Sequence, residues 1–228
     1  MKKIFSTILF LILALCSYSQ YLSQVTFSGG ANLSSIAFMT DQNVLIRTSI
    51  DGKVMEWGTE VQSDRNNNYY APRLQPYMGR IDYYGLEADS ILRGKVKSIG
   101  TCLLTYYGQY DMEIKIGKLK SVGNLMLDYY THYDNADFKG KLRFIGSSVL
   151  EYYSSFENEA FRGKLKTLGS SAITYYSSFD DKLIRGKIKS IGTVSYQWYT
   201  SLDKIGFGGG LKTGSFRQNI SGVIYIVQ

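Results

Sequence analysis

The chain has 228 residues but only one histidine, two cysteines and two prolines. A single imidazole, His132, excludes a metal site built on several histidines, and no serine–histidine–aspartate arrangement surrounds it. Its counterparts in the sister repeats described below are Ser155 and Ser178, which marks it as an exposed turn residue. No nucleotide-binding loop, cysteine cluster or nucleophile elbow occurs. The glycine runs at Gly29 and Gly208 lack the strand–helix context that phosphate loops need. From these absences the protein is expected to be no enzyme and to use neither metal nor cofactor. No apolar run is long enough for a permanent membrane-spanning helix, so a helical membrane protein is not expected.

What is present begins with MKKIFSTILFLILALCSYSQ. Lys2 and Lys3 precede an apolar run from Ile4 to Leu15, and Ser17 and Ser19 supply the small residues of a cleavage site. This is the layout of a secretory signal peptide, expected to span residues 1–19 and to leave Gln20 at the mature N-terminus. A lipid anchor on Cys16 is disfavoured because Leu15 stands where a small residue is needed. Loss of Lys2 and Lys3 takes the formal charge from +7 to +5. It also leaves Cys102 as the last cysteine, so no internal disulfide can form and packing must hold the fold. The expected location is exported: periplasm, outer cell surface or medium.

The body of the chain repeats itself. GKVKSIG, GKLKSVG, GKLRFIG, GKLKTLG and GKIKSIG begin at Gly94, Gly117, Gly140, Gly163 and Gly186, a period of 23 residues. A pair of tyrosines follows each: Tyr106-Tyr107, Tyr129-Tyr130, Tyr152-Tyr153, Tyr175-Tyr176, and Trp198-Tyr199 in the fifth copy. Tyr83-Tyr84 lies one period earlier; GKVMEWG at Gly52 and GGLKTG at Gly209 are degenerate copies.

Each unit carries two runs that alternate as half-buried strands do. In Phe161–Lys166, Phe161, Gly163 and Leu165 face one way and Arg162, Lys164 and Lys166 the other. In Ala172–Tyr176, Ile173 and Tyr175 oppose Thr174 and Tyr176. Turn residues, Gly169-Ser170-Ser171, separate the runs. Strands this close pair most simply as antiparallel hairpins. The expected fold is all-β: an antiparallel β-meander of 23-residue hairpin repeats, either an open twisted sheet or barrel-like, with a β-solenoid as the alternative. Its parts are an irregular N-terminal β region with degenerate repeats over residues 20–90, the repeat region over 91–214, and a closing strand over 215–228. NVLIRTSIDGKVMEWG reads as a hairpin turning at Asp51-Gly52.

Alternation puts a basic ladder on the polar face. The candidate binding residues are Lys95, Lys97, Lys118, Lys120, Lys141, Arg143, Lys164, Lys166, Lys187 and Lys189, with the second tyrosines Tyr107, Tyr130, Tyr153, Tyr176 and Tyr199 beside them. A flat cationic, ring-studded face suits an anionic polysaccharide or another cell-envelope component, held by charge and ring stacking. The plainer reading is a solvated face whose lysines block edge-to-edge association. No nucleic acid is expected in vivo. Acids recur in the second turns, at Asp111, Asp134, Glu157, Asp180 and Asp203, where turn preference explains them without a calcium loop.

The stretch from Gly94 to Gly192 resembles uncharacterised secreted bacterial β-repeat proteins built from 23-residue GKIKSIG…YY units. The resemblance implies export and repeat architecture and no activity. The expected function is therefore a non-catalytic secreted or cell-envelope repeat protein, structural or surface-binding. A small outer-membrane β-barrel with its Leu/Tyr face toward lipid is the alternative. A polysaccharide-acting enzyme is the second, disfavoured because the repeat offers no unique carboxylate pair.

Overall fold

A computed structural model describes residues 20–61, 73–203 and 206–228. The expected leader, and residues 63–72 of the polar proline-bearing loop, lie outside the described residues.

Seven strands form the first sheet: β1 (Tyr21–Ser28), β2 (Asn32–Met39), β3 (Leu45–Thr48), β4 (Val54–Glu60), β5 (Leu74–Pro76), and, from the far end of the chain, β19 (Arg217–Ile220) and β20 (Val223–Val227). The second sheet runs in unbroken sequence order. It comprises β6 (Ile81–Tyr83), β7 (Val96–Ile99), β8 (Cys102–Tyr106), β9 (Leu119–Val122), β10 (Leu125–Tyr129), β11 (Leu142–Ile145), β12 (Ser148–Tyr152), β13 (Leu165–Leu168), β14 (Ser171–Tyr175), β15 (Ile188–Ile191) and β16 (Val194–Ser195). A separate pair, β17 (Gln197–Trp198) and β18 (Leu211–Thr213), carries the last repeat. All pairings are antiparallel except β20 with β1.

The second sheet is the open β-meander of hairpins. Within each repeat a two-residue turn joins the strands, as where Leu168 pairs with Ser171 across Gly169-Ser170. Gly169 holds φ +55°, a value that glycine reaches without strain at the first position of such a turn. The sheet does not close: β6 and β16 are its two ends and pair with inner neighbours only.

The first sheet covers the apolar face of the meander. Val25, Phe27, Ile36, Phe38 and Ile46 share one buried cluster with Leu104, Leu127, Leu150, Ile173 and Ile188. Each such side chain taken from water contributes roughly 1.5–3 kcal/mol, so this single interior is the main source of stability in a chain without disulfides. It also corrects the barrel alternative: the row Leu104, Leu127, Leu150, Ile173 and Tyr196, which a barrel would show to lipid, is packed under the other sheet.

Two hairpin turns of the first sheet dock on the second. The Gly52 carbonyl accepts from Leu119 N–H at 3.0 Å, and the Gly30 carbonyl from Ile188 N–H at 2.8 Å. A Cβ on Gly52 would lie 1.9 Å from the Tyr129 hydroxyl oxygen, and one on Gly30 2.1 Å from the Trp198 ring. The Asp51-Gly52 turn expected from sequence is thus also the contact between layers.

Every repeat contains a bulge that strict alternation misses. Thr105 opposes Ser121 and Tyr106 opposes Leu119, so Lys120 has no partner across the ladder. The same slip skips Lys97, Arg143, Lys166, Lys189 and Lys212. An extra residue shifts the phase of everything before it. The strand of the Gly163 unit also starts late, at Leu165, because Gly163 takes a turn conformation with φ +70°.

Candidate functional site: the lysine–tyrosine layer and the loop tips

The bulge divides the expected basic ladder into two rows. Lysines that follow the repeat glycine lie over the first ring of each pair: Lys95 over Tyr106, Lys118 over Tyr129, Lys141 over Tyr152, Lys164 over Tyr175 and Lys187 over Trp198, 4.4–5.3 Å from the ring centroids. The bulged residues lie over the second ring: Lys97 over Tyr84, Lys120 over Tyr107, Arg143 over Tyr130, Lys166 over Tyr153 and Lys189 over Tyr176, at 5.1–5.8 Å. One continuous cationic face was expected; its members instead fall into two rows, each over a different ring of the tyrosine pairs.

The first row is half-buried, and four of its five lysines are committed to backbone. Lys118 Nζ donates to the Gly140 carbonyl at 2.5 Å, Lys141 to Gly163 and Lys164 to Gly186 at 2.6 Å, and Lys187 to Gly29 of the first sheet at 2.9 Å. Each bond ties one repeat to the next, or the fifth repeat to the covering sheet. Burial lowers the proton affinity of Lys118, Lys141 and Lys187. It takes Lys164 down to about 8, with the neighbouring Lys187 charge adding to the effect.

The second tyrosines do not stud a surface. Tyr107 and Tyr130 are buried, and Tyr153, Tyr176 and Tyr199 half-buried. The hydroxyls of Tyr107, Tyr130, Tyr153 and Tyr176 donate to the carbonyls of Leu127, Leu150, Ile173 and Tyr196, each twenty residues on, at 2.8–3.0 Å. The first tyrosines reach the other way, as Tyr129 does to Leu119 and Tyr152 to Leu142, ten residues back. Successive rings meet edge to face, Tyr130 and Tyr152 at 6.0 Å, an arrangement favourable by about 0.5–1.5 kcal/mol beyond burial. Burial pushes the phenols of Tyr107, Tyr129, Tyr130 and Tyr152 above their ordinary range. A phenol needs a partner when buried, so Tyr at these places is explained by folding alone.

The acids of the second turns are also accounted for locally. Asp134 accepts from the Thr131 N–H at 2.7 Å, Glu157 from Ser154 at 2.7 Å and Asp180 from Ser177 at 2.6 Å. The Thr131 N–H holds the Asp134 carboxyl below its usual range. At Asp203, the Lys212 ammonium and then the Thr200 N–H and hydroxyl hold it at about 2. Each turn is closed a second time by backbone, as Asp134 N–H donates to the Thr131 carbonyl at 3.3 Å.

These doubly closed turns present something the alternation did not reveal. The residue before the acid is a large apolar side chain in nearly full contact with solvent: Tyr110 95%, Tyr133 81%, Phe156 94%, Phe179 94% and Leu202 95% exposed. The signal was in the sequence. The third position after the second tyrosine stays large and apolar in all five copies, while the one before it changes freely through Gln109, His132, Ser155, Ser178 and Ser201. With two strands per repeat, the tips follow one another at about 10 Å along one edge of the sheet. The chain matches no known protein family, no curated protein and no solved structure.

Proposed function

We propose that this is an exported, non-catalytic binding protein that holds a repetitive polymer of the cell envelope, an anionic polysaccharide, along its row of loop tips. The observation that carries this reading is the row itself. An apolar side chain exposed once is ordinary; five at one position of five rigid turns form a patterned surface with no part in the core. Repetition suits avidity, since a polymer engaged at one tip is delivered to the next at high effective concentration. Exposed Lys139, Lys182 and Arg185 on the same loops supply charge for acidic groups. Of the ladder expected from sequence, Lys97 and Lys189 remain exposed and add to the field, whereas the tyrosines are framework.

The test is co-sedimentation of the chain from Gln20 on with a panel of acidic and neutral polysaccharides, at low and high salt. The reading predicts binding that falls as Tyr133, Phe156 and Phe179 are replaced one after another by Ser, with a steeper loss at the second and third replacement than at the first. Binding indifferent to all three replacements, or absent across the panel, would reject it.

A further inference from the structure

The geometry points to a discrete site for a carboxylated sugar between the Asp51-Gly52 turn and the first repeat, separate from the loop tips. A cavity of about 540 Å³ opens there, within the roughly 300–1,000 Å³ usual for small-ligand sites. Its walls combine the rings of Trp57, Tyr83 and Tyr106 with the side chains of Lys53, Lys95 and Lys118.

The repeat breaks its own rule at this place. Lys118, Lys141, Lys164 and Lys187 each give Nζ to a backbone carbonyl. Lys95 occupies the same position in the first unit, and its counterpart acceptor is the Gly117 carbonyl. Yet among the described residues no acceptor takes a hydrogen bond from Lys95 Nζ, which lies over the Tyr106 ring at 5.3 Å. Lys53 Nζ, at the exposed lip, also has no acceptor among the described residues. Lys118 is held by Gly140, and Asp51, the one acid of the wall, accepts from Ser49 Oγ at 2.5 Å. Two ammonium groups without hydrogen-bond acceptors among the described residues thus belong to a cavity lined by rings.

That combination selects its ligand. A carboxylate takes a charge-assisted bond from Lys95 and Lys53. The C–H face of a pyranose packs on an indole or phenol ring, and Tyr83, half in solvent, is free to take it. A neutral sugar leaves the ammonium groups unanswered; a bare inorganic anion leaves the rings unused. No part of this depends on the tip row, and the two are tested by different variants.

The experiment is titration calorimetry of the chain from Gln20 on with trigalacturonic acid, and with neutral galactotriose as comparison. The expected result is saturable binding of the acid only. Lys95→Met weakens it about tenfold or more, the loss of one charge-assisted bond. Trp57→Phe weakens it less, and Arg73→Met, the same charge change at an exposed residue outside the cavity wall, leaves it intact. The Lys95 side chain makes no hydrogen bond to the described residues and its backbone bonds survive the substitution, so the variant is expected to fold, and an unchanged melting curve checks this. Equal weakening by Arg73→Met, equal affinity for galactotriose, or no binding of either sugar would overturn the proposal.

Discussion

Tyr130 donates its hydroxyl to the carbonyl of Leu150, twenty residues and one repeat ahead, at 2.8 Å. The 23-residue period therefore does more than repeat a hairpin: it brings Tyr107, Tyr130, Tyr153 and Tyr176 each to the strand that completes its hydrogen bond. Tyr130→Phe leaves that buried carbonyl short of a donor and should cost about 1 kcal/mol, within a range of roughly 0.5–2. Tyr133→Phe, three residues on at an exposed tip, should change stability by less than about 0.5 kcal/mol. Urea midpoints of the two variants decide; equal effects would remove the framework role from the second tyrosine.

Gly52 is one of the two turn glycines that dock the first layer on the second. It holds φ +81°, and an added methyl would meet the Tyr129 hydroxyl. Gly52→Ala should destabilise by about 2–4 kcal/mol, combining backbone strain with the clash. Gly29→Ala carries a similar positive φ of +61° with open space around it, and should cost only the strain, about 1–2 kcal/mol. Thermal melts that rank the two the other way would contradict the docking described here.

Alkaline pH tests the buried lysine row. Lys164 in the folded chain loses its proton near 8 rather than 10.5 because burial, and then Lys187, disfavour its charge. Below pH 8 both folded and unfolded chains hold this proton, and the cost of burying the charge is fully present. Between 8 and 10.5 the unfolded chain binds more proton, so stability rises with pH. Above about 10 the sign reverses, since unfolded tyrosines ionise while buried Tyr129, Tyr152 and Tyr175 resist. A stability maximum near pH 10 is expected, and Lys164→Met should flatten the rise toward it. Stability falling steadily from pH 8 upward would contradict the assignment.

Cys102 is buried in the common core, and burial, with a smaller contribution from Asp41, pushes its thiol up to about 11. It should resist a thiol reagent at pH 8 in the native chain and react only as the chain unfolds. Reaction at the rate of a free cysteine in native buffer would place it at the surface.

How far the sequence could be read follows from these residues. Whether the meander closes was left undecided by the pattern, but the period, the two-strand unit, the meander itself and the Asp51-Gly52 turn were all legible, because spacing and turn chemistry are local. The covering sheet was not. Strands β1 to β3 carry no repeat signal and β4 only the degenerate copy at Gly52, and their partner β20 arrives from the other end of the chain. Strict alternation put the lysines in one row; the bulge at Lys120 and its equivalents breaks that phase and sets neighbouring lysines over different rings. Tyr107 and its sisters were read as surface because their hydroxyls suit water equally well; only the partner carbonyl twenty residues away shows why they are buried. The tips went unread because a lone aromatic between serine and aspartate looks like turn filler until all five copies are aligned.

The central claim is a division of labour: tyrosines of the pairs build the fold, and apolar residues of the loop tips bind. The most direct measurement compares two triple variants, Tyr130→Phe/Tyr153→Phe/Tyr176→Phe and Tyr133→Ser/Phe156→Ser/Phe179→Ser, for urea midpoint and for sedimentation with the best polysaccharide of the panel. The account predicts that the first loses about 2–4 kcal/mol of stability yet binds when folded, while the second keeps its midpoint and loses binding. A tip variant that binds as well as the parent, or a pair variant that folds as firmly and fails to bind, would contradict it.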